Sequence, residues 1–127
     1  MFEAPLRLVY KSSHATSTKN MMIDLNEIDG FEWDEGNVWK PERHGVSQAE
    51  AEQVFDHDPV FSPDLKHSHG ETRIHALGIT DAGRFVHLTL TIRERVEKRL
   101  IRVISARPMN RKERRQYREI KDTEIDS

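Results

Sequence analysis

Arginine dominates the second half of this 127-residue chain. Between Arg84 and Lys121 stand thirteen Lys or Arg and only four acids, Glu94, Glu97, Glu113 and Glu119, in a chain whose formal net charge is -2. A planar guanidinium grips phosphate oxygens through two parallel N–H donors. Arginines spread over two strands and a helix therefore make a site for a polyanion, with RNA the first to consider. Cleavage of RNA by its own 2′-OH needs cations aimed at the charge that develops on phosphorus, and such preorganised charge is commonly the largest catalytic contribution. Arg73, Arg84, Arg93, Arg102 and Arg107 are the candidates for that task. Arg102 stands out because it interrupts the apolar run Leu100-Ile101-Arg102-Val103-Ile104. The competing reading is a satisfied ion pair with Glu71 or Glu113, or ordinary surface charge.

Proton transfer has fewer candidates. Glu71 and Arg73 stand at i and i+2 and so project from one face of a strand, with His75 on the same face. A carboxylate beside an arginine can accept a proton, although such a neighbour lowers its pKa and weakens it as a base. A salt bridge that orients Arg73 is the equal alternative. His44 has the chemistry of a general acid or base, or else makes a structural contact before Gly45. Lys40 is a phosphate contact or a solvated lysine. On the last helix Arg111, Lys112, Arg114, Arg115 and Arg118 form a basic band. It can track an RNA backbone, with steep salt dependence, dock an acidic partner segment, or simply face solvent. Tyr117 stacks a base or, as is more frequent, packs its helix onto the sheet. His67-Ser68-His69 with Asp64 lacks a convincing further ligand for zinc and reads as a polar loop. No metal or cofactor is expected.

The chain that must hold these residues divides into three parts. Residues 1–29 read as a flexible extension with a short strand at Leu6–Tyr10, residues 30–121 as one folded domain, and residues 122–127 as a disordered tail. Phe31–Asp34 opens the domain as a short strand, and Asp34 caps a short helix through Trp39 that Pro41 ends or restarts. Ser47 with Glu50 forms a capping box for a helix over Gln48–Asp56. Pro59–Ser62 is extended, Thr72–Thr80 is a strand, and Asp81-Ala82-Gly83 is its turn. In Arg84–Arg93, Val86, Leu88, Leu90 and Ile92 face one side and His87, Thr89, Thr91 and Arg93 the other. Lys98–Ala106 is apolar on both faces, as a central strand is. Asn110 with Glu113 starts a helix that ends near Ile120.

Composition bounds the rest. At 35% apolar and 33% charged residues the chain supports one modest core. Cysteine is absent, which removes disulfides and thiol chemistry. No run is long enough to span a membrane and no export signal is visible, so the cytoplasm is the expected compartment. Residues 1–63 hold five basic and twelve acidic side chains, and residues 64–127 fifteen and ten, an asymmetry that suggests an electrostatic partner.

In their order and spacing, a set of words resembles the BrnT-type toxins of bacterial type II toxin–antitoxin systems. They are Phe31-Glu32-Trp33-Asp34-Glu35-Gly36-Asn37, His44-Gly45-Val46-Ser47, and Val54-Phe55 with Asp58-Pro59. His67-Ser68 with Glu71 and Arg73, Leu77-Gly78 with Gly83-Arg84, and Arg102-Val103-Ile104-Ser105-Ala106-Arg107 with Glu113 and Tyr117 complete the set. The resemblance implies a RelE-like α+β domain, a twisted antiparallel sheet packed against N-terminal helices and a C-terminal helix. It also implies a metal-independent endoribonuclease that stops translation. A BrnA-like antitoxin would neutralise it in a heterotetramer and alone contact operator DNA. The alternative is a degenerate module that binds antitoxin or nucleic acid without cleaving. Two departures from the family pattern are the long first thirty residues and Pro41.

Overall fold

Strict alternation along one long strand sets the two faces of the sheet. A computed structural model describes residues 23–38, 45–68 and 70–126, and in it that strand, β4, spans Phe85–Arg95. Val86, Leu88 and Leu90 are buried against the core, while His87, Thr89, Thr91 and Arg93 point to the opposite face, as the period of two requires. Around β4 lie β1 (Gly30–Phe31), β2 (Val60–Pro63), β3 (Ile74–Ile79) and β5 (Lys98–Pro108), in the spatial order β1-β5-β4-β3-β2. All pairings are antiparallel except that of β1, which runs parallel to β5 with Phe31 opposite Ile101. Two helices, α1 (Gln48–Gln53) and α2 (Arg111–Asp126), complete an α+β domain.

The core face is closed by α1 and the turn that follows it. Ser47 accepts the Glu50 N–H and the Glu50 carboxylate accepts the Ser47 N–H, the reciprocal cap that its sequence predicts. The helix is shorter than expected because Val54–Asp56 tightens into a 3-10 turn, with His57 N–H donating to the Val54 carbonyl at 3.2 Å. Val54 and Phe55 thereby reach the core with Ala51, Val46, Ala76, Leu88, Ile101 and Val103. Phe55 sits between Phe31 and Phe61, with ring centroids 5.4 and 6.2 Å away.

The other face is covered by α2 at one end, and toward the other end Thr91 is buried, its hydroxyl donating to the Thr72 carbonyl. Tyr117 of α2 packs edge-on against Phe85 at 6.0 Å, and the Arg118 guanidinium lies 4.8 Å over the same ring. Asn110 and Glu113 form the reciprocal cap that starts α2. The helix then runs to Asp126, past its expected end at Ile120, so residues 122–126 are helical where a disordered tail was expected. The reason is tertiary: Lys121 Nζ donates to the Asp58 carbonyl at 2.6 Å and pairs with Glu124, which pins the last turns.

Several local expectations change. Residues 23–29, assigned to the flexible extension, fold: Ile23 is buried in the core and Leu25–Glu27 forms a 3-10 turn capped by Asp24. The suggested strand at Leu6–Tyr10, Trp39 and Pro41 lie outside the described residues. The helix expected after Asp34 is a turn within the described residues. There Asn37 accepts the Asp34 N–H and donates to the carbonyls of Glu32 and Val103. Strand β3 begins at Ile74 rather than Thr72, because Ser68 Oγ takes the Arg73 N–H and the Thr91 hydroxyl donates to the Thr72 carbonyl. Among the described residues no helix is long and apolar enough to cross a membrane.

Contact between β3 and the Val54–Asp56 turn depends on Gly78. A Cβ there would stand 2.6 Å from Val54 Cγ1 and 3.3 Å from Pro59 Cβ, both in the packed interior. Gly78→Ala should therefore cost about 1–3 kcal/mol, measured as a lowered denaturant midpoint with an unchanged slope.

Candidate functional site

A single irregularity brings the arginines of β5 together. Thr89 pairs with Ser105 and Leu90 with Val103, which leaves Ile104 as an unmatched residue in β5. In a regular strand Arg102 and Arg107, five apart, would point to opposite faces. The bulge reverses the parity between them, as bulges do. Thr91 stands opposite Arg102 and His87 opposite Arg107, and both of these β4 residues belong to the face away from the core. Arg93, Arg102, Arg107, Ser105, Thr89, His87 and His75 thus share one face, walled at one end by α2, with His87 and Thr89 buried and the arginines toward its rim.

Carboxylates hold most of these cations. Arg102, whose side chain is 14% exposed, forks onto Asp34 at 2.9 and 3.0 Å and reaches Glu32 at 3.2 Å. The expected alternative partners of Arg102, Glu71 and Glu113, are engaged elsewhere. Glu32 is itself largely buried and also receives Arg95 at 2.7 Å and Arg93 at 4.0 Å. The Arg102 hydrogen bonds, followed by the Gly36 N–H, hold the Asp34 carboxyl below its usual range. Glu71 pairs with Arg93 at 3.3 Å rather than orienting Arg73, because both Glu71 and Arg73 precede β3 instead of alternating along it. Arg107 forks onto Glu113 at 2.8 and 2.9 Å. Those bonds, with the Asn110 N–H, push the Glu113 carboxyl down to about 2 against the opposing effect of burial.

Arg73 differs. Among the described residues its guanidinium has no carboxylate partner, and its Nε is buried without a hydrogen bond. Arg93 Nε is orphaned in the same way. Buried N–H groups without acceptors carry a desolvation cost.

Histidines occupy the middle of the shared face. The rings of His75 and His87 lie 4.8 Å apart. His75 Nε2 is 3.4 Å from Asp64 Oδ2, and its Nδ1 is 3.4 Å from Thr89 Oγ1. His87 is buried, and that burial, reinforced by the charge of Arg107, pushes its imidazole down to about 4. His67 and Ser68 close the loop around Asp64, while His69 lies outside the described residues. Among the described residues no three such groups are arranged to hold a metal ion.

The remaining candidates lie apart from this face. Arg84 donates to Glu50 at 2.8 Å and so faces α1 on the core side. Lys40 and His44 are outside the described residues. On α2, Arg111 and Arg115 are exposed, whereas Arg114 turns back to the Met109 carbonyl at 3.0 Å. Sequence reading placed His75 and His87 on strand faces without a role. Only pairing across β3, β4 and β5 makes them neighbours.

A family model described as ribonuclease toxin, BrnT, of type II toxin–antitoxin system matches residues 33–113. The chain belongs to the BrnT ribonuclease toxin family. The match spans Asp34, the bulge, Arg73, Arg93, Arg102, Arg107 and the Asp64–His75 pair, and stops before Arg114 and Arg115. Membership makes this BrnT-family chain the toxin of a system that also contains an antitoxin. No curated protein matches it closely enough to compare.

The buried imidazole makes stability pH-dependent. The unfolded chain takes up the His87 proton below about pH 6.5, an ordinary imidazole value, whereas the folded chain does so only near 4. More protons are bound when unfolded across that window, so stability falls as pH falls. Denaturant titrations should show His87 contributing a loss of about 2 kcal/mol between about pH 7 and pH 5. That loss should be absent in His87→Leu, while Glu113 adds its own loss only at lower pH.

Proposed function

We propose that this BrnT-family toxin is a metal-independent endoribonuclease that cuts mRNA through the 2′-OH of the substrate, thereby stopping translation. The observation that carries the reading is the face on which Arg93, Arg102 and Arg107 lie together, with Arg73, which has no carboxylate partner among the described residues, in the segment just before β3. A phosphodiester is the ligand such a face suits. It supplies acceptors to the terminal N–H groups of the arginines, and its charge grows as the phosphorane forms. Arg102 and Arg107 enter already oriented by Asp34 and Glu113, so they act as fixed dipole partners more than as free forks. Glu71 positions Arg93 in this scheme, and Arg84 secures α1. Arg111, Arg114 and Arg115 extend the contact along the RNA backbone.

The neutralising partner in this reading is a BrnA-like antitoxin assembled with the toxin as a heterotetramer, which contacts operator DNA while the toxin does not. The α2 basic band is the surface whose charge an acidic antitoxin segment would cover.

A second reading has its own support. Arg93, Arg102 and Arg107 each already hold a carboxylate, the arrangement of a module that binds without cleaving. Incubating the purified full chain with RNA in the presence of EDTA separates the two. A toxin of the proposed kind yields fragments ending in 2′,3′-cyclic phosphate and 5′-hydroxyl, and arrests growth when expressed alone. Arg73→Ala should lower the cleavage rate about 10²-fold and reduce the salt dependence of RNA binding by about one phosphate contact, with the unfolding midpoint unchanged. Intact RNA after incubation with folded, RNA-binding protein would leave the binding module standing.

A further inference from the structure

Resting on the ribonuclease reading above, we infer that His75 is the general base of the cleavage and that Asp64 is its positioning residue. Three observations converge on the pair. The first is the setting of Asp64. Its side chain is only 7% exposed, yet it carries a carboxylate beside a sheet histidine. An isolated buried charge is expensive, and the loop is built to retain it. His67 offers both its backbone N–H and its ring Nδ1, at 3.3 and 3.1 Å. Ser68 Oγ donates to the Asp64 carbonyl at 2.7 Å and accepts the Arg73 N–H, and the Asp64 N–H donates to the Arg73 carbonyl at 2.9 Å. Burial opposes ionisation, but the His67 hydrogen bond and the charges of His75 and His67 outweigh it, and the carboxyl lies below the usual aspartate range.

The second is the direction in which His75 is held. Asp64 Oδ2 stands 3.4 Å from Nε2, and with the ring proton on that nitrogen the Nδ1 lone pair is turned toward Thr89 Oγ1 at 3.4 Å. That contact is long enough for a substrate hydroxyl to replace it. The ring is 31% exposed, which leaves it accessible from that face.

The third is its place among the cations. Ser62, His75, Thr89 and Ser105 form one row across the sheet. The next row on one side contains His87 and Arg107, and on the other Thr91 and Arg102. His75 stands two strand spacings, or about 10 Å, from β5, a gap that a nucleotide and an extended arginine bridge together. The titratable groups around it are Asp64 and His67 from the loop and His87 from β4. Arg107 and Glu113 reach His87, and Thr89 brings no charge.

In the step this geometry supports, Nδ1 takes the proton of the 2′-OH as the 2′-oxygen forms its bond to phosphorus. The bond from phosphorus to the 5′-oxygen then breaks, and that oxygen leaves with a proton from solvent. The products are a 2′,3′-cyclic phosphate and a 5′-hydroxyl, and His75 later releases its proton to water.

Single-turnover cleavage by the full chain, followed from about pH 5 to 9, tests the pair. A base acts only when deprotonated, so the wild-type rate should carry a limb that falls with decreasing pH. His75→Gln should lose about 10²–10⁴-fold in rate and flatten that limb, with RNA affinity and the unfolding midpoint retained. Added imidazole should restore part of the rate to His75→Gly. Asp64→Asn should lower the rate about tenfold or more while leaving RNA affinity unchanged, as expected when the partner that orients a base is lost. Wild-type cleavage with a pH-independent rate through this window overturns the assignment even if a variant fails to fold. So does a folded His75→Gln that cleaves within about threefold of wild type, the ribonuclease reading surviving in both cases. A wild-type chain that binds RNA but leaves it intact overturns both.

Discussion

The bulge at Ile104 is the constraint on which the arginine-bearing face depends. It inserts one residue into β5 between two arginines, so Arg102 and Arg107 emerge on the same side while Val103 and Ala106 both remain in the core. Without it, one of the two guanidinium groups would be driven into the packed interior among Leu88 and Val54, at a cost no single carboxylate could offset. The same extra residue lets β5 keep its pairing with β4 past the bulge, where Pro108 reaches Val86 and the Met109 N–H reaches the Phe85 carbonyl. That continuation delivers Asn110 to the start of α2, and with it the wall of the site.

Charge balance then organises what the bulge exposes. Glu32, just beyond β1, gathers Arg93, Arg95 and Arg102, and so ties the parallel strand to the two central antiparallel ones. Glu113 combines two tasks at the head of α2, completing the helix cap and clamping Arg107. These bridges leave little of the arginine charge free, and they explain how a sheet face this basic remains stable before any ligand arrives. They also make the exceptions informative. The orphaned Nε groups of Arg73 and Arg93 are where the protein's own acceptors run out.

Much of the framework was legible in the residues. Ser47 with Glu50 and Asn110 with Glu113 mark helix starts by local chemistry, and Gly83, at φ +84, makes its turn where the sequence places it. Alternation in β4 assigned His87 and Arg93 to the polar face. What escaped were relations across distance. Glu32 and Asp34 lie about seventy residues from Arg102 in sequence, and no local pattern selects them over Glu71 or Glu113. Residues 23–29 were grouped with the flexible extension, yet the Asp29 carboxylate accepts the Arg99 N–H, the Asp29 N–H donates to the Arg99 carbonyl, and Ile23 finds a core.

Taken alone, the sequence determined the elements, their caps and turns, the α+β class and the family, because each rests on neighbours within a few residues or on an ordered set of words. The tertiary structure decided which arginines act together, which carboxylates hold them, and that Asp64, His75 and His87 meet. Those outcomes depend on strand register and on one inserted residue. A shift of a single position in pairing turns a side chain from one face of a sheet to the other, and that choice is made by the packing of the whole core.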